Sequence, residues 1–193
     1  MGDPKFPRKK YDTPSHPWQG ERIQAENAIS KKYGLKNKRE IWKAQTFLRN
    51  ARGQARTLLA KAGTANPQVE KEGVQLIKKL TRIGLLMEGA TLDDILTLET
   101  ESVLGRRLQT LVYLQGLTST PEQARQFINH GHIAVTGKKI TVPGYLVPRD
   151  EESEVDYTPD SCMNDEGHPV RPKSKFEREA APATKITSKK EAA

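Results

Sequence analysis

Two histidines, His130 and His132, flank Gly131 in the stretch ARQFINHGHIAVTGKKI, and their spacing first suggests metal chemistry. Structural zinc is held by four ligands, drawn mainly from cysteine, histidine and carboxylate side chains. The two remaining histidines and the single cysteine lie in segments that we expect to be an arm or a tail. The sequence therefore predicts no metal site and no bound cofactor.

A run of carboxylates at Asp150, Glu151 and Glu152, followed by Glu154 and Asp156, is the next candidate for chemistry. Such a run could bind magnesium, but carboxylates alone seldom form a metal cage. We interpret it as a solvated strand edge or as a surface that faces a basic partner protein. The chain has no phosphate-binding loop, nucleophile elbow or paired-carboxylate arrangement, so we predict no catalytic residues and no enzymatic activity.

The chain carries an excess of basic over acidic residues. The 193 residues include 32 Lys and Arg against 24 Asp and Glu, which gives a net charge of +8 and an isoelectric point near 9.5. The excess is concentrated in two blocks, with a net charge of +9 over residues 1–56 and +5 over residues 104–149. Two basic blocks favour a polyanionic partner that meets two surfaces, or one continuous surface after folding.

The apolar content predicts a modest core and a cytoplasmic location. Hydrophobic residues make up 35% of the chain and the mean hydropathy is −0.73. No apolar run approaches the roughly 18–20 residues that span a membrane, so we expect no membrane contact. The N-terminal residues lack the apolar core of a secretory signal, and a lone cysteine is typical of a reduced compartment.

Both ends of the chain are predicted to be extended. Residues 1–19 interleave four prolines with basic residues, which prevents a helix and favours an arm that lies along a partner or stays mobile. Residues 158–193 are also rich in charge and proline, and we expect an extended or disordered tail.

Residues 37–62 have the clearest helical periodicity. Their apolar stripe consists of Ile41, Ala44, Leu48, Ala51, Ala55, Leu58 and Ala62. A spacing of alternating three and four places all seven on one face, and it gathers Lys38, Arg49, Arg52 and Arg56 on a neighbouring face. Gly53 lies inside this helix and destabilises it by about 1 kcal/mol relative to alanine. Either another backbone approaches closely at this position, or the helix simply tolerates the glycine.

Further helices are expected downstream. Asn66 and Pro67 start one whose core stripe is Val69, Leu76, Leu80, Ile83 and Met87. The sequence TLDD at residues 91–94 caps a short element. A helix over roughly residues 101–115 carries Arg106 and Arg107 at its start, where positive charge opposes the helix dipole. We interpret that placement as serving phosphate contact.

The stretch quoted above follows a strong helix start. Thr120 and Pro121 form a cap and first turn, and Gly131 ends the helix in a left-handed conformation. Ile133 and Val135 then alternate with polar residues as in a half-buried strand. Thr136 and Gly137 turn the chain, and Ile140 and Val142 continue on the return. The fold class is therefore α+β, with a mainly helical first part followed by a small twisted antiparallel sheet.

The residues of this region resemble the S4 (alpha-L) RNA-binding domain over residues 104–157. The matching positions are Arg107, Leu108, Leu111, Gly116, Leu117, Gln123, Ala124, Arg125, Ile128, Gly131, His132, Ile133, Val135, Gly137, Pro143 and Val147. Upstream, the segments at residues 33–35, 37–42, 55–59, 92–95 and 106–110 are similar to the archaeal–eukaryotic branch of the small-subunit ribosomal protein S4 family. Many bacterial members have arginine where Pro121 stands, and some carry an N-terminal cysteine cluster that is absent here.

This resemblance implies a structural constituent of the small ribosomal subunit that binds rRNA, stabilises a multi-helix junction in the 5′ domain and lies near the channel through which mRNA enters. Its partners would be small-subunit rRNA, neighbouring small-subunit proteins and mRNA. We accordingly divide the chain into a basic arm (1–19), a helical rRNA-binding domain (20–103), the S4 domain (104–157) and a tail (158–193). A stand-alone RNA-binding factor with this domain would explain only residues 104–157, and an RNA-modifying enzyme would need a separate catalytic domain.

Cations and polar groups suffice to contact RNA because duplex RNA is recognised mainly through its backbone and 2′-hydroxyls. The residues predicted to contact RNA are Arg8, Lys9, Lys10, Arg22, Lys38, Arg39, Lys43, Arg49, Arg52, Arg56, Arg106, Arg107, Thr118, Thr120, Gln123, Arg125, Asn129, His130, His132, Lys138 and Lys139. A surface histidine without a role is the alternative for His130, and a merely soluble turn is the alternative for the two lysines. For the aromatic residues Trp18, Tyr33 and Trp42 we expect mostly packing, with base stacking as the alternative.

Overall fold

The computed structural model describes residues 9–61, 67–165 and 167–172. Arg8, Ala62, the cap at Asn66 and the tail from residue 173 onward lie outside the described residues. The helices are α1 Gly20–Lys32, α2 Lys38–Lys61, α3 Pro67–Ile83, α4 Asp94–Thr97, α5 Thr100–Gly105, α6 Leu108–Leu114 and α7 Pro121–His130. The strands are β1 Ile133–Val135, β2 Lys138–Lys139 and β3 Val155–Tyr157, and two short 3-10 helices span Arg149–Glu154 and Cys162–Asn164. The predicted α+β class is confirmed.

We refer to residues 20–103 as the helical half, and the apolar stripe of α2 forms its centre. Its described members, from Ile41 to Leu58, are all buried, as the three–four spacing predicts. The C-terminal part of the stripe packs against Leu76 and Leu80 of α3 and against Ile95 of α4. None of the helices in the described ranges has the length and apolar character needed to cross a membrane.

Helix α3 ends one turn earlier than its predicted stripe. Met87 lies beyond the helix with 74% of its surface exposed, so its assignment to the core was wrong. The chain leaves the helix at Gly84, whose φ of +79° is in the left-handed region. A Cβ at this position would lie 2.8 Å from the guanidinium carbon of Arg106, so glycine is required by both conformation and space.

The single helix predicted over residues 101–115 was wrong, because the chain forms α5 and α6 with a break at Arg106 and Arg107. The segment around Tyr145 accounts for the break. The Leu108 N–H donates to the Tyr145 carbonyl at 2.8 Å, and the Val147 N–H donates to the Arg106 carbonyl at 3.1 Å. These bonds replace the helical bonds that would have joined α5 to α6. The two arginines therefore do not lie in the first turn of one helix.

Helix α7 begins and ends as predicted. The Thr120 hydroxyl accepts the Gln123 N–H at 3.1 Å, and Gly131 ends the helix with a φ of +78°. We refer to residues 104–157 as the module. Phe127 and Ile128 face its core, together with Val112 of α6 and Ile133 of β1.

The antiparallel sheet has the strand order β2-β1-β3, with Val135 opposite Lys138 and also opposite Val155. All three residues of β1, the central strand, are buried, so the predicted alternation was wrong. The return strand contains only the two lysines, and Val142, predicted to continue it, is outside the sheet with 59% of its surface exposed.

The helical half and the module meet at a close backbone contact. Gly34, with a φ of +58°, lies so near the start of α7 that a Cβ there would be 2.9 Å from the Pro121 Cβ and 3.1 Å from the Glu122 backbone nitrogen. The Gln109 side-chain amide donates to the carbonyls of Gly34 and Pro121, both at 2.9 Å. Pro121 is thus part of this interface.

Candidate nucleic-acid interface

The structure brings three of the four arginines of α2 together, as the helical period predicts. Arg49, Arg52 and Arg56 line an open groove of about 660 Å³, which Thr100 at the start of α5 also lines. Arg49 and Arg56 are exposed, whereas Arg52 is half-buried and donates a hydrogen bond to the Leu98 carbonyl. We refer to these three residues and their groove as the α2 groove.

The segment before α1 lies along α2 rather than apart from it. The Asp12 N–H donates to the Thr46 hydroxyl at 3.0 Å, and the Asp12 carboxylate pairs with Arg49 at 2.8 Å. The Tyr11 ring packs against Trp42 with a centroid distance of 6.0 Å. The described part of the predicted arm is therefore attached to the helix that carries the groove, with Lys9 and Lys10 exposed at its start.

A buried carboxylate engages two of the other predicted contact residues. Glu26 of α1 is 2% exposed and accepts hydrogen bonds from Arg22 at 2.7 Å and from the Trp42 indole N–H at 3.0 Å. The Lys38 ammonium lies 3.8 Å from the same carboxylate. Lys38 thus links α2 to α1, Arg22 pairs with Glu26 within α1, and Arg39 and Lys43 are exposed.

Two module arginines converge on a second carboxylate of the helical half. Glu40 of α2 accepts a hydrogen bond from Arg125 at 2.9 Å and another from Arg107, and its side chain is only 12% exposed. Arg125 also donates to the Gln109 side-chain oxygen. Burial works against ionisation of Glu40, but the hydrogen bonds and charges of the two arginines outweigh it and hold the pKa of this carboxyl below its ordinary value.

Arg106 is bound on every side by groups that position the break between α5 and α6. Its guanidinium donates to the Ile83 carbonyl at 2.8 Å, to the Val147 carbonyl at 3.1 Å and to the Glu152 carboxylate at 2.7 Å. Glu152 belongs to the acidic run. The first four carboxylates of that run lie in the 3-10 helix, whereas Asp156 is exposed on the edge strand β3. RNA contact by Arg106, Arg107 and Arg125 stays a prediction, and these internal bonds do not support it.

The exposed polar surface of the module lies at the end of α7 and the hairpin that follows. Asn129 and His130 are exposed, as are both residues of β2, Lys138 and Lys139. The Lys139 side chain crosses directly over Gly131, where even a Cβ would overlap its methylene groups. We call these four exposed residues the hairpin tip.

His132 differs from its neighbour His130 because it is partly buried. Its ring lies edge-on to Phe127 at a centroid distance of 5.8 Å, and its Nδ1 is 2.9 Å from the Ser161 hydroxyl. Burial, followed by the charges of His130, Lys139 and His168, lowers the pKa of His132. Within residues 9–61, 67–165 and 167–172, no three histidine, cysteine or carboxylate side chains are grouped so that they could hold a metal ion.

The three polar residues predicted around the start of α7 have structural positions. Thr118 is 1% exposed, and Thr120 is the helix cap. The Gln123 side chain accepts the Ser119 N–H at 2.7 Å and donates to the Val170 carbonyl at 2.9 Å. RNA contact by these side chains stays a prediction, which the burial of Thr118 and the internal bonds of Thr120 and Gln123 do not support.

Sequence reasoning did not single out Glu26, Glu40 or Gln109, although these residues determine which cations remain exposed. A charged residue beside the apolar stripe of α2 was a weak signal for Glu40. Its two partners lie 67 and 85 positions further along the chain, so the pattern around Glu40 contains no information about them.

Comparison with known proteins agrees with the resemblance predicted from the sequence. The family model described as the S4 domain matches residues 106–153. The small ribosomal subunit protein uS4 of Methanococcus aeolicus is 58% identical over 172 residues, which cover 89% of this chain and 96% of the relative. The proteins of the same name from Picrophilus torridus and Thermoplasma acidophilum are 53% and 50% identical over 171 residues, with 89% of this chain and 93% and 86% of the relatives covered.

Proposed function

The chain belongs to the uS4 family of small ribosomal subunit proteins, and we propose that it acts there by binding small-subunit rRNA directly through the α2 groove and the hairpin tip. As a ribosomal protein of this family it is cytoplasmic and is not an enzyme. The observation that carries the proposal is the convergence of Arg49, Arg52 and Arg56 on one open groove. Three guanidinium groups at this spacing can neutralise several phosphates of a folded RNA.

The finer proposal is that the protein stabilises an RNA junction. The two cationic surfaces belong to different halves of the chain, and Glu40 with Arg107 and Arg125 holds the halves together. Gly34 adds a close backbone contact at the same interface. A rigid body with two separated cationic surfaces can hold two RNA helices at a fixed angle, which is what a multi-helix junction requires. Proximity to the channel through which mRNA enters rests on the family resemblance alone.

Salt dependence of binding tests the groove. The chain with Arg49→Gln, Arg52→Gln and Arg56→Gln is titrated with a transcript of the rRNA 5′ domain at several salt concentrations. We expect weaker binding and a slope of log K against log salt that is smaller by up to about 2 to 3, because each phosphate contact contributes ~0.7–0.9. Since Arg52 also bonds Leu98, the variant with only Arg49 and Arg56 replaced guards against misfolding.

A matched control removes equal charge elsewhere. Lys71, Lys78 and Arg82 are exposed on α3, and they are not among the residues that line the groove. Their replacement by glutamine should change the slope far less. Equal slopes for the two triple variants would show that the α2 groove faces water or protein.

Association with the ribosome separates the proposal from its alternative, a stand-alone RNA-binding factor. A structural constituent co-sediments with small subunits in a one-to-one ratio after a high-salt wash. Recovery only with stalled or split particles would contradict the proposal and support the alternative.

A further inference from the structure

Trp18 is the most exposed large hydrophobic side chain in the described part of the chain, with 92% of its surface accessible to water. The packing expected for the three aromatic residues holds for the other two. Trp42 bonds Glu26 and lies against Tyr11, and the Tyr33 hydroxyl donates to Glu101 at 3.1 Å. For Trp18 the expectation was wrong, so this indole needs an explanation outside the folded chain.

The backbone around Trp18 is held in place although the side chain is free of contacts. The Arg22 guanidinium donates to the carbonyls of His16 and Pro17, at 3.0 and 2.9 Å. On the other side, the Gln19 carbonyl accepts the Ile23 N–H at 3.1 Å as α1 begins. An indole that is presented by a fixed backbone loses less entropy on binding than one on a free chain.

The segment that carries Trp18 also lines a mainly polar cavity. His16 and Gln19, close to it in the chain, line a cavity of about 310 Å³. Its lining also includes the charged side chains of Asp12, Arg22 and Arg49. A tryptophan that anchors a protein partner usually lies within an apolar patch that excludes water. A single exposed ring on a segment that borders a polar and cationic cavity instead fits a nucleobase, because every base offers a π face and its flanking phosphates need cations.

Arg49 links this cavity to the α2 groove. It lines both the 310 Å³ cavity and the 660 Å³ groove, and its partner Asp12 is itself 60% exposed. An RNA strand whose phosphates follow Arg56, Arg52 and Arg49 would therefore run toward the segment that presents Trp18. The exposed Arg49–Asp12 pair is weak enough for a phosphate to replace the carboxylate.

We propose that Trp18 is a stacking platform for an unpaired rRNA base, with Arg49 neutralising a phosphate next to that base. The inference rests on the proposed binding of rRNA and adds a base contact to a surface otherwise assigned to phosphates. Stacking recognises the exposed face of a base and not its sequence, so the site would take any unpaired nucleotide at that position of the RNA.

Two substitutions test the stack on the full-length chain, with the rRNA 5′-domain transcript as the probe. Trp18→Leu should weaken binding by roughly 5- to 100-fold, whereas Trp18→Phe should retain most of the affinity because an aromatic face remains. Neither change removes a charge, so the salt slope should stay at its wild-type value. Met87→Ala is the control, since Met87 is also exposed, at 74%, and lies outside the cavity and the groove.

A spectroscopic measurement reports the contact itself. The chain contains two tryptophans, so fluorine NMR of the protein labelled with fluorotryptophan gives two resonances, and Trp18→Phe identifies that of Trp18. Addition of the transcript should shift the Trp18 resonance strongly and that of Trp42 little. An unshifted Trp18 resonance in the saturated complex would overturn the proposal.

The outcomes also separate this inference from the proposed function. If the arginine variants lower the salt slope but Trp18→Leu binds the transcript like the wild type, the groove stands and the stack is refuted. If Trp18→Leu in addition fails to assemble stoichiometrically into small subunits, the indole contacts a ribosomal protein instead. If the arginine variants leave the slope unchanged, the proposed RNA surface fails independently of Trp18.

Discussion

Replacement of Glu40 by glutamine should loosen the joint between the helical half and the S4 module. The Glu40, Arg107 and Arg125 side chains are 12%, 9% and 22% exposed, so water screens them little. Glutamine keeps the shape and one acceptor but leaves two neighbouring guanidinium groups without their counter-charge. Removing one partner of a fully buried pair costs about 3–5 kcal/mol, and the partial exposure here lowers our expectation to about 2–4 kcal/mol.

Urea denaturation at neutral pH measures this effect. With an m-value of about 2 kcal/mol/M, the transition midpoint of Glu40→Gln should fall by about 1–2 M. Glu101→Gln is the matched control, because Glu101 pairs with Lys32 at the surface, where the two side chains are 41% and 60% exposed. Its midpoint should stay close to that of the wild type.

The pH dependence of the stability difference between the wild type and Glu40→Gln provides a second test. The pKa of Glu40 is lowered from 4.5 in the folded chain, so its stabilisation is fully present above pH 4.5 and is lost as the pH falls through the lowered value. The wild-type advantage over Glu40→Gln should therefore shrink below pH 4.5. Equal midpoints at neutral pH, or a difference that does not respond to acid, would refute the reasoning.

Three further predictions concern the module and its interface. Gly34→Ala should lower the melting temperature more than Gly116→Ala. Both glycines have positive φ, but an added Cβ at Gly34 would press on Pro121 and the α7 backbone, whereas one at Gly116 would meet nothing within 4 Å. Thr120→Ala should cost about 1 kcal/mol through loss of the α7 cap, and Thr120→Ser should restore it in a thermal melt. Stability should decrease as the pH falls below 6.5, because the pKa of His132 is lowered and the unfolded chain binds the proton more readily; His132→Gln should reduce that dependence.

Each of these predictions has a result that contradicts it. Equal melting temperatures for the two glycine variants would show that the chain at Gly34 moves away from α7 without cost. A Thr120→Ser variant as unstable as Thr120→Ala would assign the effect to packing of the methyl group and not to the cap. An unchanged pH profile in His132→Gln would assign the acid sensitivity to other groups.

Local signals in the sequence were enough to predict the elements that depend on neighbours within one or two turns. The apolar stripe of α2 can be predicted from a three–four spacing alone. The roles of Thr120 and Gly131 depend on hydrogen bonds to residues at most four positions away, so they can be predicted from the local sequence. For the same reason the arginines of α2 could be assigned to one face before any tertiary contact was known. The family resemblance extended this local reading to nearly the whole chain.

Contacts between segments that are distant in the sequence could not be predicted from these local patterns. The break at Arg106 and Arg107 depends on a backbone carbonyl at Tyr145, and the apolar spacing on either side of the break still fits one continuous helix. Met87 fits the α3 stripe but lies past the turn at Gly84, whose close neighbour is Arg106. The sequence identifies an arginine as a cation, but only the fold shows whether that arginine already pairs with a carboxylate.

The separation of Glu40 from its partners along the chain has a consequence for folding during synthesis. Arg107 and Arg125 follow Glu40 by 67 and 85 positions, so at a translation rate of about 5–20 residues per second the second arginine is made roughly 4–17 s after the carboxylate. During that interval α2 and its neighbours can already form from local contacts, while Glu40 remains solvated. Contacts that close such long loops are slow. We therefore expect the two halves to form early and the joint between them to close last, after α7 has been synthesised.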